Sequence, residues 1–192
     1  VVTDPKTGER RDALDQRWTS VLSQLGRIPL ILPNDSKTVE NLLDRNDPTA
    51  LILTGGNDLA AYGGDAPERD AAEAAAIAWF RQKKRPILGV CRGLQHLTHL
   101  LGGTLRKIDG HAGTRHAVKA GAASREVNSY HTWAIDALPP GCEATATAAD
   151  GSVEAWRHRS EPITAIMWHP EREDPVTDVD LALLRDTLTM AQ

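Results

Sequence analysis

At 192 residues, 41% hydrophobic and 25% charged, the chain is long enough for one full core and too short for two independent ones, so one domain over 1–192 is expected. A formal net charge of −4 gives no general basic surface for a phosphate backbone, and no apolar run approaches the span of a bilayer, which excludes nucleic acid and membrane as expected partners. Two cysteines, distant and unlike in context, make neither a disulfide framework nor a zinc knuckle, and nothing reads as a signal peptide, so the cytoplasm is the expected compartment.

Along the chain, short β-rich runs alternate with longer helical patterns, without an internal repeat, as in an α/β sheet. "RRDALDQRWTSVLSQLG" reads as an amphipathic helix with Leu14, Trp18, Val21, Leu22 and Leu25 on one face and Gly26 as its stop. "IPLILP" follows as a short buried strand, "TVENLLDRND" as a second helix, and "ALILTGG" as a strand covered on both faces. "PERDAAEAAAIAWFRQKK" has a proline at its start, acids early and bases in its last turn, all of which favour a helix. "RPILGVC" is the next buried strand, and it runs straight into Cys91.

The second half is β-rich and closely spaced: "GGTLRKI", "AVKA", "REVNSY", "EATATAADGSVEAWRH" and "PITAIMWHP". An Asp-Gly pair flanked by strand formers marks a hairpin at Asp150–Gly151. The expected fold is α/β, a parallel sheet with an antiparallel extension, closed by a helix over "DVDLALLRDTLTMA".

The chemistry centres on Gly-Val-Cys-Arg-Gly. A strand that turns at once into a helix needs a tight corner, and Gly89 and Gly93 remove side chains where strand and helix approach. The corner lifts the Cys91 sulfur clear of the sheet at a helix N-terminus, where dipole and free N–H groups favour thiolate, and the Arg92 N–H faces a carbonyl under attack. An ordinary buried cysteine before a Gly-flanked helix is the plainer reading of this motif alone. A nucleophile needs a base, and "MWHPE" ends a buried strand in His169, with Pro170 stiffening the exit and Glu171 spaced to accept from the imidazole. "LTGGND" ends another strand in two glycines, so Gly56 is the expected second oxyanion donor beside Arg92, with Asn57 among the substrate contacts. Gln95 lies one turn beyond Cys91, and Ser129, Tyr130 and His131 of "VNSYH" offer polar groups for a substrate's charged end, although each also fits ordinary loop chemistry.

In these residues the chain resembles the class I glutamine amidotransferase-like family, within it the γ-glutamyl hydrolase branch: "LTGGND", "GVCRGLQ", "VNSYH" and "WHPE" occur in the family's order over most of the chain. The resemblance implies a flavodoxin-like, mostly parallel sheet with helices on both faces. It implies Cys91 as nucleophile, His169 as base, Glu171 as orienter, Gly56 and Arg92 as oxyanion donors, and Gln95 with Ser129 to His131 as glutamyl contacts. It implies a small-molecule γ-glutamyl substrate and no metal or organic cofactor, and leaves the oligomeric state open. The fuller strings "ERDAAE", "DGSVEAWRH" and "MWHPERE" are similar to γ-glutamyl-CDP-amidate hydrolases of surface-polysaccharide biosynthesis, which would require cations for a diphosphate; Arg115, His116, Arg157 and His158 are the candidates, beside Arg92. A γ-glutamyl-GABA hydrolase, a glutaminase subunit feeding a synthetase, and a non-catalytic thiol sensor are the competing readings. The family usually opens with a strand before its first helix, whereas this chain opens on Val1 without an initiator methionine, so that strand is expected to be missing.

Overall fold

The computed structural model describes residues 1–189. Its strands are β1 (Val2–Thr3), β2 (Arg10–Arg11), β3 (Leu51–Leu53), β4 (Ile87–Val90), β5 (Thr104–Lys107), β6 (Ala112–Ala120), β7 (Ala123–Tyr130), β8 (Trp133–Ala137), β9 (Cys142–Ala148), β10 (Val153–His158) and β11 (Ile163–Ile166). Its helices are α1 (Arg17–Gln24), α2 (Ser36–Asn46), α3 (Pro67–Gln82), α4 (Arg92–Leu100) and α5 (Asp178–Thr189). Among the described residues, no helix is long and apolar enough to cross a membrane.

A seven-stranded mixed sheet in the order β3-β4-β11-β10-β9-β6-β7 forms the centre. β3, β4 and β11 are parallel, while β10, β9, β6 and β7 continue the sheet as antiparallel neighbours. β5 and β8 pair separately, as do β1 and β2. The apolar runs of β4 and β11 carry side chains to both faces, as strands covered on both sides must. Ile87, Ile163 and Ala165 join Val39 and Leu43 of α2, Ala72, Ala76 and Phe80 of α3, and Leu94 and Leu97 of α4 in one core. Leu88, Val90 and Ile166 point to the other, which Trp18 and Val21 of α1 and Leu184 of α5 close.

The Asp150–Gly151 hairpin forms, with Gly151 at φ 85° closing the turn between β9 and β10. Three expectations change. Arg10 and Arg11 are not helical: Gly8 turns the chain at φ 71°, β2 pairs with β1, and Arg10 binds Glu68 and the Asp65 carbonyl at the start of α3, so α1 begins only at Arg17. "IPLILP" forms no strand. Pro29 and Pro33 withhold N–H donors, and Ile28 and Ile31 stand 96% and 61% exposed beside a groove of about 700 Å³ that separates this segment from β3. Trp133–Ala137, which the sequence did not mark as a strand, is one, because β8 finds its partner in β5. Met190 and Ala191, the last residues of the expected closing helix, lie outside the described residues.

The two glycines around Cys91 are required by contact rather than by dihedral angle. A Cβ on Gly89 would lie 2.7 Å from the Gly93 backbone, and one on Gly93 would overlap the Leu53 carbonyl of β3. Backbone cannot swing aside as a flexible side chain can. Gly93→Ala is therefore expected to destabilise the fold by about 3 kcal/mol, read as a lowered urea midpoint at unchanged m-value; a midpoint equal to that of the unaltered protein would refute the close packing of α4 on β3.

Candidate active site

Three chain ends converge at the carboxyl edge of the parallel strands. β4 delivers Cys91, β11 leads to His169, and β3 leads to the Gly55–Gly56 turn. The register pairs Val90 with Ile166, and the Cys91 N–H donates to the Ile166 carbonyl at 2.8 Å, so nucleophile and base candidates leave adjacent strands at the same level.

Cys91 sits at the elbow with φ 51° and ψ −104°, a strained conformation for a residue with a side chain, directly before the first turn of α4. It is buried, and burial raises its thiol to about 12, with the charges of Glu171 and Glu154 adding to the rise and the Arg92 N–H and the Arg172 charge opposing it. Burial therefore works against the thiolate that the helix N-terminus is expected to favour.

His169 is buried and held from several sides. Its Nδ1 lies 2.6 Å from Glu171 Oε1; a carboxylate only accepts here, so Nδ1 is the ring nitrogen that donates and Nε2 is free of this partner. Asn128 clamps the same residue's main chain from both sides, accepting from the His169 N–H and donating to its carbonyl, each at 2.8 Å. Gly55 lies flat against the imidazole, where a Cβ would overlap ring atom Cε1, and Tyr130 meets the ring edge-on at 5.5 Å between centroids.

Behind the elbow, buried charges hold the backbone. Arg69 donates through Nη2 to the carbonyls of Thr54 at 2.8 Å and Gly55 at 3.0 Å, and a Cβ on Gly56, at φ 144°, would overlap its guanidinium. With the Gly55 carbonyl turned to Arg69, the planar trans peptide turns the Gly56 N–H the opposite way. The Arg92 side chain is fully buried between Asp70 and Glu73, so it offers the pocket a backbone N–H and no free guanidinium. Burial alone would raise the Glu73 carboxyl, but the hydrogen bond from His96 and the charges of Arg92 and Arg69 hold it at about 2.

The other sequence candidates divide. Ser129 is fully buried, and its hydroxyl has no hydrogen-bond partner. Gln95 is buried over Met167, one turn along α4, with Nε2 3.4 Å from the Trp133 carbonyl. Asn57 commits its amide to Asp65 and the Val1 amine. Arg115 reaches Glu173 at 2.9 Å, and Glu173 in turn accepts from Asn128, which puts Arg115 at the rim of the site. His131 and His116 are turned away, toward Glu154. Arg157 and His158 are misplaced by strand direction: β10 runs antiparallel to β11, Arg157 stands opposite Thr164 rather than Ile166, and both lie at the far end of the sheet, where Arg157 pairs with Glu143 and His158 accepts from the Ser160 and Glu161 N–H groups.

Sequence reasoning missed three residues. Asn128 and Arg69 position backbone, a role that no motif spacing reveals. Arg172, whose guanidinium stacks on Tyr130 at 4.5 Å, was visible in "HPER" as a cation adjoining Glu171.

Comparison with known proteins places this geometry. The Peptidase C26 family profile matches residues 2–171. The chain is 30% identical over 180 residues to the γ-glutamyl-CDP-amidate hydrolase of Campylobacter jejuni, covering 90% of this chain and 87% of that protein. Among solved structures it resembles a Thermoplasma acidophilum protein described as a candidate component of GMP synthase, at TM-score 0.73 and 24% identity over 90% of this chain and 85% of that one. It also resembles a glutamine amidotransferase of Thermotoga maritima, at TM-score 0.63 and 17% identity over 89% and 76%. These two likenesses are of fold.

The Glu73 network gives a pH test. A carboxyl near 4.5 when unfolded and about 2 when folded adds stability that is fully present above 4.5 and lost as pH falls toward 2. Glu73→Gln, which strands Arg92, is expected to cost about 3 kcal/mol or more at pH 7, and the gap from the unaltered protein should narrow as pH falls from about 4.5 to about 2 in urea titrations. A gap independent of pH would show that Glu73 is not ionised in the fold.

Proposed function

We propose, for a chain that belongs to the Peptidase C26 family and to the class I glutamine amidotransferase-like hydrolases, that Cys91, His169 and Glu171 act as nucleophile, base and orienter in hydrolysing a γ-glutamyl amide. The observation that carries the reading is the strained Cys91 elbow, one strand away from an imidazole whose Nδ1 is fixed on Glu171.

The chemistry follows from the positions. His169 Nε2 takes the proton from the Cys91 thiol as sulfur attacks the γ-carbonyl. The oxyanion meets the N–H groups of Arg92 and Gly56, one at the N-terminus of α4 and the other fixed by Arg69. Collapse of the tetrahedral intermediate breaks the C–N bond, with His169 returning the proton to the leaving nitrogen. Water, deprotonated by the same imidazole, then hydrolyses the thioester and frees glutamate and the thiol. The buried, unpartnered Ser129 hydroxyl and the Gln95 amide are suited to the glutamyl head.

For the leaving group we favour a nucleoside diphosphate amidate. Arg115 at the rim, Arg172 beside Cys91 and the 46% exposed Tyr130 ring beneath it suit a phosphate-bearing group better than an amine. The likeness to the Campylobacter hydrolase supports the same choice.

Two outcomes are expected with purified protein and γ-glutamyl-CDP-amidate, following free glutamate. Cys91→Ala should lose about 10⁴-fold or more, His169→Ala nearly as much, and Glu171→Gln about 10²-fold, while Cys142→Ala should match the unaltered protein; full activity in Cys91→Ala removes the mechanism. Arg115→Ala and Arg172→Ala should each raise KM about tenfold with kcat little changed, whereas Arg157→Ala, at the far end of the sheet, should change neither. Equal turnover of γ-glutamyl-CDP-amidate, γ-glutamyl-GABA and glutamine would reduce the assignment to general γ-glutamyl hydrolysis.

A further inference from the structure

Beside the catalytic cleft lies a second cluster of titratable side chains that the proposed hydrolysis does not use. Glu154, 1% exposed on β10, has three imidazoles around it: His111 from the loop before β6, His116 on β6 and His131 just after β7. His111 Nδ1 is 3.4 Å and His131 Nε2 3.5 Å from Glu154 Oε1, and these two nitrogens are 3.3 Å apart. His116 Nε2 is 3.4 Å from Glu154 Oε2 and is buried without a hydrogen-bond partner.

The outer hydrogen bonds decide where the protons are. His131 Nδ1 lies 2.9 Å from the Trp133 carbonyl, which only accepts, so the ring proton is on Nδ1. His111 Nε2 lies 3.0 Å from the Asp150 carboxylate, which places that ring's proton on Nε2. In the neutral rings, both inner nitrogens therefore present lone pairs to each other and to a carboxylate oxygen. With both rings neutral, three acceptors would stand in a triangle of 3.3 to 3.5 Å with no donor among them and repel one another in a buried setting, a conflict that an added proton or a cation relieves. A cation at the centre removes the conflict.

The dimensions select the cation. Ligands about 2.0–2.1 Å from a tetrahedral zinc ion stand roughly 3.4 Å apart, the edge seen here. Imidazole and carboxylate donors whose outer N–H groups are fixed by a carboxylate and a backbone carbonyl are the usual surroundings of a zinc-bound histidine. We propose that His111, His131 and Glu154, with His116 as the fourth donor, bind a first-row divalent metal ion of the zinc class. The ligand atoms of His111, His116 and Glu154 lie within 4.8 Å of one another, and His116, which faces the other carboxylate oxygen, has to turn toward Oε1 to complete the set with His131. With all four positions filled by protein the site is structural. It ties the β6–β7 hairpin and the link into β8 to β10, fixing the end of β7 that carries Ser129 and Tyr130 past His169, and no step of hydrolysis passes through it.

The test uses Co²⁺ as a probe on native protein treated with a chelator and then freed of it. Stoichiometric Co²⁺ with visible d–d bands of tetrahedral intensity, displaced by Zn²⁺, is expected, together with a higher melting temperature in Zn²⁺. Glu154→Gln and His131→Ala should each lose the band, and His158→Ala should keep it. If those two variants do not fold, His111→Gln, altered in a loop, serves instead, and its band should be lost or shifted. The absence of a stoichiometric tetrahedral band in the unaltered protein, or its persistence in the ligand variants, overturns the proposal. So does a proton-detected imidazolium at His111 or His131 that Zn²⁺ does not displace, since a shared proton would then be what reconciles the lone pairs.

Discussion

The parallel pairing of β4 with β11 is the constraint on which the rest of the site depends. Because Val90 and Ile166 are level, the chain that leaves β4 and the chain that leaves β11 emerge side by side, which brings Cys91 and His169 to the same edge although they stand far apart in sequence. Parallel strands require helices to connect them, and those helices bury both faces. The carboxyl edge is thus where these strands leave side chains open to a ligand. The mirror consequence holds for β10: as the antiparallel neighbour of β11, it starts at the catalytic edge with Glu154 and ends at the opposite edge with Arg157 and His158.

The elbow is strained, and neighbouring structure supports it. A non-glycine residue at φ 51°, ψ −104° costs on the order of 1–3 kcal/mol and persists only where its surroundings over-determine it. Here Gly89 and Gly93 let α4 press against β4 and β3, and the Arg92 side chain, next to the strained residue, is locked between Asp70 and Glu73. Glu73 also receives Arg69, which fixes the Gly55–Gly56 turn. One buried carboxylate on α3 therefore couples the two backbone segments proposed to share the oxyanion. Such a network gains little net stability over an apolar core of the same volume, so its value lies in the geometry it specifies.

How much was legible depended on whether the cause was local. The hairpin at Asp150–Gly151, the helix opened by Pro67 and the glycine-framed elbow are fixed by residues adjacent in sequence, and each could be read directly. The His169–Glu171 contact was legible for the same reason, through the stiff His-Pro-Glu exit. "IPLILP" has strand composition, but a strand exists only with a partner in register, and composition does not say which neighbour is present. Arg157 and His158 looked like cations near a motif; only the direction of β10 takes them away. The Glu154 histidines come from the segment into β6, from β6 itself and from the link after β7, and the Glu that joins them lies on β10, so the sequence read them as unrelated, and His131 was assigned to substrate when its nitrogens face Trp133 and Glu154. Asn128 and Arg69 act on main chain, which leaves no pattern.

The resting state of Cys91 sets the order of events in catalysis. Burial pushes the Cys91 thiol up and so disfavours a preformed thiolate before substrate arrives. Burial, the first cause of that rise, is also what makes a sulfur–imidazole ion pair and an oxyanion between N–H groups worth more than in water. In the proposed mechanism, proton transfer to His169 accompanies attack, and the cost of charging the pair is offset when a carbonyl lies between sulfur and the proposed oxyanion donors. The Glu171 carboxylate lowers that cost by stabilising the imidazolium, and the Asn128 clamp keeps the ring where transfer is short. A nucleophile held this way would couple substrate binding to its own activation, because desolvation opposes its charge until an acyl group is in place.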